Sequence, residues 1–450
     1  MFFLCNKKQI SCFLKLYAFI KKRIGSWTAR YLSFAGRFNL ISSVLWSLCN
    51  FWLGAFRLPR DCIKQIDKLC SAFLWSGTDL NPKRAKLSWD QVCKPKTEGG
   101  LGLRNLKEAN DVCCLKLVWR ILSHGDSLWV KWIEVYLLKN APFWTVKENT
   151  SAGSWIWRKI IKFREVAKSF CKVEVGDGEQ TSFWFDSWSS LGRLHDIAGD
   201  RGVIDMGITQ QMTVADAWRA RQRRRHRNSA LNSIEDALLS KWMEKKDQRD
   251  KVLWRGNHDI YKEKFSTKDT WNHIRTTSNT VAWHRGVWFT HETPKHSFSV
   301  WLAAHDRLAT GDRMQKWNKD AVGDCYFCTN CLESRDHLFF SCSYTAGIWE
   351  ALARGLLQHH YTSDWHQLLN LVSAHRKDKV TCFLVKYIFQ TSVYTIWHER
   401  NRRRHNEAPK SALILIQWID KQMRNRITTI QRHKDHRYEA TFQRWLQSRS

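Results

Sequence analysis

Cys325-Tyr-Phe-Cys328-Thr-Asn-Cys331-Leu-Glu-Ser-Arg-Asp-His337-Leu-Phe-Phe-Ser-Cys342 is the stretch on which the reading of this chain turns. It spaces soft donors as C-x2-C-x8-H-x4-C. Three thiolates and an imidazole at these separations can close a tetrahedral shell around Zn²⁺, and Cys-x-x-Cys supplies the tight chelating turn. Four protein ligands leave no position for water, so one zinc at Cys325, Cys328, His337 and Cys342 would hold structure and do no chemistry. Two alternatives stand beside this reading. The cysteines are ordinary buried thiols and His337 a satisfied core histidine, or Cys331, three residues past Cys328, supplies the turn in place of Cys325. The spacing favours Cys325 and Cys328, with Cys331 spare.

Composition sets the class. The chain has 450 residues and is 43% hydrophobic, enough for sizeable cores and two to four domains. Its 73 Lys and Arg against 42 Asp and Glu leave +31. A surplus of that size favours a polyanion, through phosphate neutralisation and counterion release. Nucleic acid (RNA and/or DNA) is the preferred partner over a membrane surface, because the basic clusters lie beside the zinc array and aromatic residues. No small-molecule substrate is expected. Most of the 26 tryptophans and 23 phenylalanines are expected to be core, with Trp119, Trp129, Trp132, Trp155, Trp157, Trp184 and Trp188 set among apolar neighbours.

Outside the array, Cys5, Cys12, Cys49, Cys62, Cys70, Cys93, Cys171 and Cys382 are scattered singly, and Cys113 and Cys114 are adjacent. This reads as reduced thiols of a nuclear or cytoplasmic protein that is not secreted. Lys7, Lys8 and Lys15 interrupt any signal-peptide core. Residues 38–56 are uncharged and long enough to resemble a membrane span. Asn39, Ser42, Ser43, Ser47 and Asn50 within them favour a buried helix and no membrane.

Periodicity gives a mainly α, multidomain chain with small β-hairpin elements and a small structural zinc-binding module. Helical spacing recurs in Ile41, Val44, Leu45 and Leu48, and in Ile63, Ile66, Leu69, Cys70 and Phe73. Glu98-Gly-Gly-Leu-Gly102 reads as a tight turn, since no Gly-Lys-Ser/Thr follows. Val173 to Val175, a Gly176-Asp-Gly178 turn and Thr181 to Phe185 carry a hairpin signature. Residues 191–212 are Gly- and Asp-rich and read as a linker. Arg219 to Arg227 places six arginines in nine positions, a solvated charge run that also suits nucleic acid or nuclear import. Ser266 and Asp269 suggest an N-capped helix. The last hundred residues read as helices ending basic, with Ile414, Ile416, Trp418, Ile419 and Met423 as the apolar set. The expected divisions are 1–145 helical, 146–212 Trp-rich hairpin segment and linker, 213–280 basic connection, 281–360 zinc module and 361–450 basic helical region.

Motifs beyond the array carry a resemblance. Trp283, Val287-Trp288, Pro294-Lys-His-Ser-Phe298, Trp301-Leu-Ala303, Arg307-Leu-Ala-Thr310, Glu333-Ser334, His337-Leu-Phe-Phe340 and Ile348-Trp349 surround the donors. With them, the region resembles the zinc-binding domain that follows the reverse transcriptase in plant non-LTR (LINE-type) retrotransposons. Upstream, Ser26-Trp27, Leu32-Ser-Phe-Ala-Gly-Arg37, Phe73-Leu-Trp-Ser-Gly77 and Lys94-Pro-Lys96 with Glu98 to Gly102 resemble the thumb-like segment after the polymerase palm. The matches run in order from about Ile24 to about Glu350. The resemblance implies a parental role in holding template RNA or target DNA while the palm copies it.

The catalytic half of that family is missing. Polymerase chemistry needs adjacent carboxylates for two Mg²⁺ ions. This chain has no Asp-Asp dipeptide, and Asp177, Asp186, Asp196 and Asp200 read as solvated loop acids. The expected function is therefore a zinc-stabilised nucleic-acid-binding fragment with no enzymatic activity and no catalytic residues. Candidate phosphate contacts are Arg223, Arg224, Arg225, Arg307, Arg313, Lys316, Arg402, Arg403 and Arg404, with Lys319, Lys83, Arg84, Lys86, Lys94 and Lys96 as further possibilities. A zinc-built protein-interaction module and a decayed retroelement fragment are the competing readings.

Overall fold

The computed structural model describes residues 7–27, 32–139, 141–148, 150, 152–220, 224–375 and 378–449, with side chains from residue 14 onward. It contains twenty-one α-helices and one three-stranded sheet among the described residues. The chain divides into two units. One comprises Met1–Ala18, Leu48–Lys64 and Leu106–Thr276; the other comprises Phe19–Ser47, Gln65–Asn105 and Thr277–Ser450.

The first unit is built on two apolar clusters. Helix Leu106–Leu122 buries Leu115 and Val118 with Trp157, Ile160 and Ile161 of helix Trp155–Lys162, and Trp254 completes this core. The second cluster gathers Phe183, Trp184, Trp188, Val214, Leu231 and Ile234. Trp119, Trp129 and Trp132 pack on the first cluster part-buried, and Trp184 and Trp188 are buried in the second.

The sheet joins β1 (Cys171–Glu174), β2 (Lys251–Arg255) and β3 (Tyr261–Lys262) in antiparallel order, with Val173 opposite Val252 and Trp254 opposite Lys262. The hairpin expected between Val173 and Phe185 does not form. Its turn is held by a side chain: Asp250 accepts from the amides of Gly176 (2.7 Å), Gly178 (2.9 Å) and Gln180 (3.1 Å), and from the Thr181 hydroxyl (2.7 Å). Phe183 and Trp184 are drawn into the apolar cluster, and β1 pairs with the distant β2. The linker expected at 191–212 is also replaced by structure. Helix Leu194–Met206, kinked at Gly199 (φ 60°), buries Leu194 and Met206. Asp186 is not a solvated acid either: it accepts from Trp144 Nε1 at 2.7 Å and Ser182 N at 2.8 Å.

The second unit holds the Cys/His stretch. Helix α1 (Pro294–Ala304) starts on proline, which loses no helical bond at that position, and buries Phe298, Val300, Trp301, Leu302 and Ala303. It packs against α4 (Lys379–Arg404). Helices α2 (Ser343–Leu357) and α3 (Trp365–Ser373) also pack on α4, and α5 (Ala412–Arg432) and α6 (Thr441–Gln447) close the bundle against it. His296 is a core residue here, close to Tyr387 and Tyr394; burial pushes its imidazole down to about 3, so it stays neutral. On α5 the buried stripe is Leu415, Ile419, Met423, Ile427 and Ile430, offset from the expected set, so Ile414 and Trp418 face solvent.

The glycine turn forms as the sequence indicates. Gly100 N–H donates to Pro95 O at 3.0 Å, and a Cβ there would lie 1.9 Å from Lys94 O. Gly99 O then accepts from Trp301 Nε1 and His305 Nε2, each at 2.8 Å, which fixes the turn to α1. Residues Phe34–Ala55 form one helix that is long and apolar enough to cross a membrane, and 22% of its apolar window is buried. The buried positions Ile41, Leu45, Cys49 and Leu53 recur every fourth residue, the stripe of a helix that uses one face for packing.

Asp67 yields a test of this unit. Its Oδ1 accepts from Trp89 Nε1 at 2.9 Å, and burial pushes its carboxyl up to about 7. The folded state therefore keeps a proton that the unfolded chain releases near 3.8, and stability falls as pH rises through that window. Asp67→Asn keeps an acceptor for Trp89 and removes the buried charge. The variant is expected to be more stable than wild type at pH 8 by on the order of 2–4 kcal/mol, with the gain vanishing below about pH 4. Urea unfolding at the two pH values measures it, and equal stability at pH 8 would refute it.

Candidate metal centre

The loop carrying the first donors is shaped by backbone pairing. Cys325 N–H donates to Cys331 O at 2.8 Å and Thr329 N–H to Cys325 O at 2.9 Å, which closes the Cys-x-x-Cys turn. Ser334 Oγ then accepts from His337 N at 3.2 Å and starts the turn that presents the imidazole. Residues His337–Ser341 form a π-helical turn, closed by Cys342 N–H on His337 O at 2.7 Å. Leu338, Phe339 and Phe340 within it are fully buried. Phe340 packs on Trp349 (4.8 Å) and Phe389 (5.7 Å), and Phe339 on Trp365 (5.5 Å). An aromatic plug thus sits between His337 and Cys342 and anchors both in the core.

Cys325, Cys328, His337 and Cys342 converge, their ligand atoms all within 4.8 Å of one another. Cys325 Sγ lies 3.9 Å from Cys342 Sγ, and Cys328 Sγ 3.3 Å from His337 Nε2. A tetrahedral zinc shell has edges of about 3.8 Å between sulfurs and about 3.6 Å from sulfur to nitrogen, so the donor set fits a metal of this type. Cys325 and Cys342 are buried, Cys328 and His337 half-buried. Cys342 precedes α2, whose Tyr344 and Thr345 amides bond to its sulfur. The Cys325 thiol, foremost, and these amides lower Cys342 to about 7, while sharing that contact raises Cys325. Cys331 is exposed and lies outside the cluster.

A second, fully buried element holds the loop. Glu333 and Arg400 are both 0% exposed. Arg400 Nη2 lies 2.5 Å from Glu333 Oε1, and its Nε 2.9 and 3.0 Å from the two carboxylate oxygens. Gly311 N–H donates to Glu333 Oε1 at 3.0 Å, and the Glu333 backbone pairs with Gly323 and Asp312. The guanidinium lies over Tyr326 and Trp397, each at 5.0 Å. Glu333 stood in the sequence only as part of a motif, and nothing local marked Arg400 as its partner.

The candidate phosphate contacts fall into distinct groups. Arg223 lies outside the described residues. Arg224 and Arg225 are exposed on the first unit. On the second, Arg307, Lys316, Lys319 and Arg404 are exposed. Arg313 is half-buried, 3.8 Å from Asp306 and over the Trp317 ring. Arg402 bridges Glu399 and Glu407. Arg403 bonds Glu399 at 3.1 Å and lies over Phe327 and Tyr344, which stack on each other at 4.8 Å. The charge run at 399–405 is therefore partly internal: helical spacing turns Arg400 and Arg403 toward the Cys/His loop and leaves Arg404 in solvent.

Residues 265–349 match the family described as zinc-binding in reverse transcriptase. A putative ribonuclease H protein of Arabidopsis thaliana is 26% identical over 344 residues, which cover 73% of this chain and 54% of that relative. An uncharacterized mitochondrial protein of the same plant is 28% identical over 137 residues, covering 30% of this chain and 88% of the relative. The chain thus spans about half the length of the larger relative. The resemblance to a reverse transcriptase C-terminal region read from the motifs and these similarities agree, and the matched segment contains all four donors.

Glu333→Gln leaves Arg400 as a buried cation without its counter-charge. The expected loss is about 3–5 kcal/mol in urea unfolding, with part of it recovered in Glu333→Gln/Arg400→Met. A single variant as stable as wild type would show that the pair does not hold the loop.

Proposed function

We propose that this chain is a zinc-stabilised, nucleic-acid-binding part of a non-LTR (LINE-type) retrotransposon reverse transcriptase that binds RNA or DNA without polymerising. The carrying observation is the convergence of three thiols and an imidazole inside the segment that matches the reverse transcriptase zinc-binding family. When bound, zinc supplies a closed structural cross-link; Cys325, Cys328, His337 and Cys342 would hold it and exclude water from the shell. The residues around it bear on partner binding. Arg307, Lys316, Lys319 and Arg404 are exposed cations in the same unit, and the net charge of +31 supports a polyphosphate partner.

Polymerisation is not part of the proposal. Two-metal phosphoryl transfer needs paired carboxylates, and the chain carries no Asp-Asp dipeptide. The exposed Arg224, Arg225 and Arg227 suit either phosphate contact or nuclear import, which supports a nuclear or cytoplasmic setting. A protein-docking role is the second reading, favoured by Leu413, Ile414 and Trp418, which are 63%, 48% and 36% exposed on α5.

Two measurements test the proposal. Elemental mass spectrometry of the purified chain should find about one zinc per molecule, lost in a Cys328→Ser/His337→Ala variant; a folded wild-type chain free of zinc would sink the metal assignment. Binding to a labelled single-stranded RNA and to a DNA duplex should weaken steeply with salt, with a log–log slope steeper than about −3. A flat salt dependence would favour the docking surface on α5.

A further inference from the structure

Most arginines in the second unit that approach its interior are matched. Arg400 has Glu333, Arg403 has Glu399, Arg402 has Glu399 and Glu407, Arg313 has Asp306, and Arg426 donates to the His291 and Glu292 carbonyls. Lys86 and Arg307 stand apart. Neither has a carboxylate partner among the described residues, and both line the same cavity, a recess of about 540 Å³ that also exposes Ser88, Gln91 and His305. Among the described residues no carboxylate lines it.

The other lining groups carry no negative charge. His305 donates Nε2–H to Gly99 O, and burial holds its imidazole below the ordinary range, so it lines the recess as a neutral ring. Ser88 Oγ accepts from Gln91 N–H at 3.3 Å, so its own O–H is available to donate. Lys86 Nζ lies 6.0 Å from the centre of the Phe34 ring. Burial, with the Arg313 and Arg400 guanidiniums nearby, holds the Lys86 ammonium below its ordinary range. An anion entering the recess would relieve that repulsion. The recess is also of the size that takes a nucleotide-sized ligand.

The geometry points to this cavity as the seat of a backbone phosphate of bound nucleic acid, gripped by Lys86 and Arg307 with Ser88 as a supporting donor. This rests on the nucleic-acid reading above and gives it a place on the molecule. The two basic residues come from separate segments, the loop before Trp89 and the turn after α1, and the Gly99 turn, which bonds both Gln91 and His305, sets their separation.

The test uses the full chain and a fluorescein-labelled 20-nucleotide single-stranded RNA, read by anisotropy from 50 to 300 mM KCl, with wild type, Arg307→Gln, Lys86→Met and Lys421→Gln compared. Lys421 is an exposed lysine on α5, which contributes nothing to the recess. Arg307→Gln and Lys86→Met should each bind roughly fivefold more weakly at 0.1 M salt and lower the slope by about 0.7. Lys421→Gln should stay within about twofold of wild type. Arg307 is exposed, so its variant decides the matter even where Lys86→Met fails to fold. Wild-type affinity and slope in Arg307→Gln, or an equal loss in Lys421→Gln, would overturn the cavity and leave the nucleic-acid reading intact. Absence of salt-dependent binding by wild type would overturn both. Inorganic phosphate titrated by calorimetry separates the sources: heat lost in Arg307→Gln with RNA binding unchanged would assign a free anion and overturn the backbone contact.

Discussion

The fully buried pairing of Glu333 with Arg400 is the constraint on which the second unit depends. A carboxylate and a guanidinium removed from water cost several kcal/mol each, and only close multidentate geometry offsets this. Here Arg400 reaches both carboxylate oxygens, and the Gly311 amide takes a further lone pair. The result joins the turn before helix Gly311–Gln315, the Cys/His loop and the basic end of α4. The loop has aromatic contacts of its own, Tyr326 under Arg400 and Phe327 stacked on Tyr344, and the buried ion pair pins it at a further point.

Beside that pin lies a core of large rings. Phe339 and Phe340, placed between His337 and Cys342, meet Trp349, Trp365 and Phe389 at centroid distances from 4.8 to 6.1 Å. Aromatic side chains bury large areas at little entropic cost, which explains how a short segment carrying two of the four donors is held rigidly. The same economy runs through the first unit, where Trp157, Trp184, Trp188 and Trp254 are interior. The abundance of tryptophan is thus mainly a solution to packing, and rings such as Trp317, 66% exposed, are the exception.

The excess of positive charge divides along the same line. Arg400 and Arg403 are internal and hold the loop through a carboxylate and two stacked rings, while Arg307, Lys316, Lys319 and Arg404 face solvent. Substituting arginines as a block would therefore mix loss of fold with loss of binding. Only the solvent-facing set, with Lys86 in its recess, would report on the polyanionic partner proposed above.

The sequence by itself determined the mainly helical class, the four converging donors and the tight glycine turn. Each is written in local spacing, and local spacing survives without knowledge of partners: a Cys-x-x-Cys turn, an apolar residue every third or fourth position, a glycine where a Cβ would strike Lys94 O. What only the tertiary structure decided depends on residues far apart in the chain. Asp250, roughly seventy positions away, captured the amides of the 176–181 turn and replaced the expected hairpin with a β1–β2 pairing. Leu194 and Met206 found an apolar cluster that turned an expected linker into a helix. Glu333 met Arg400 sixty-seven residues later, and Lys86 came to share a recess with Arg307. No period or motif encodes such meetings, because the energy that fixes them, a buried charge finding its counter-charge or a ring finding its core, exists only once the chain has closed on itself.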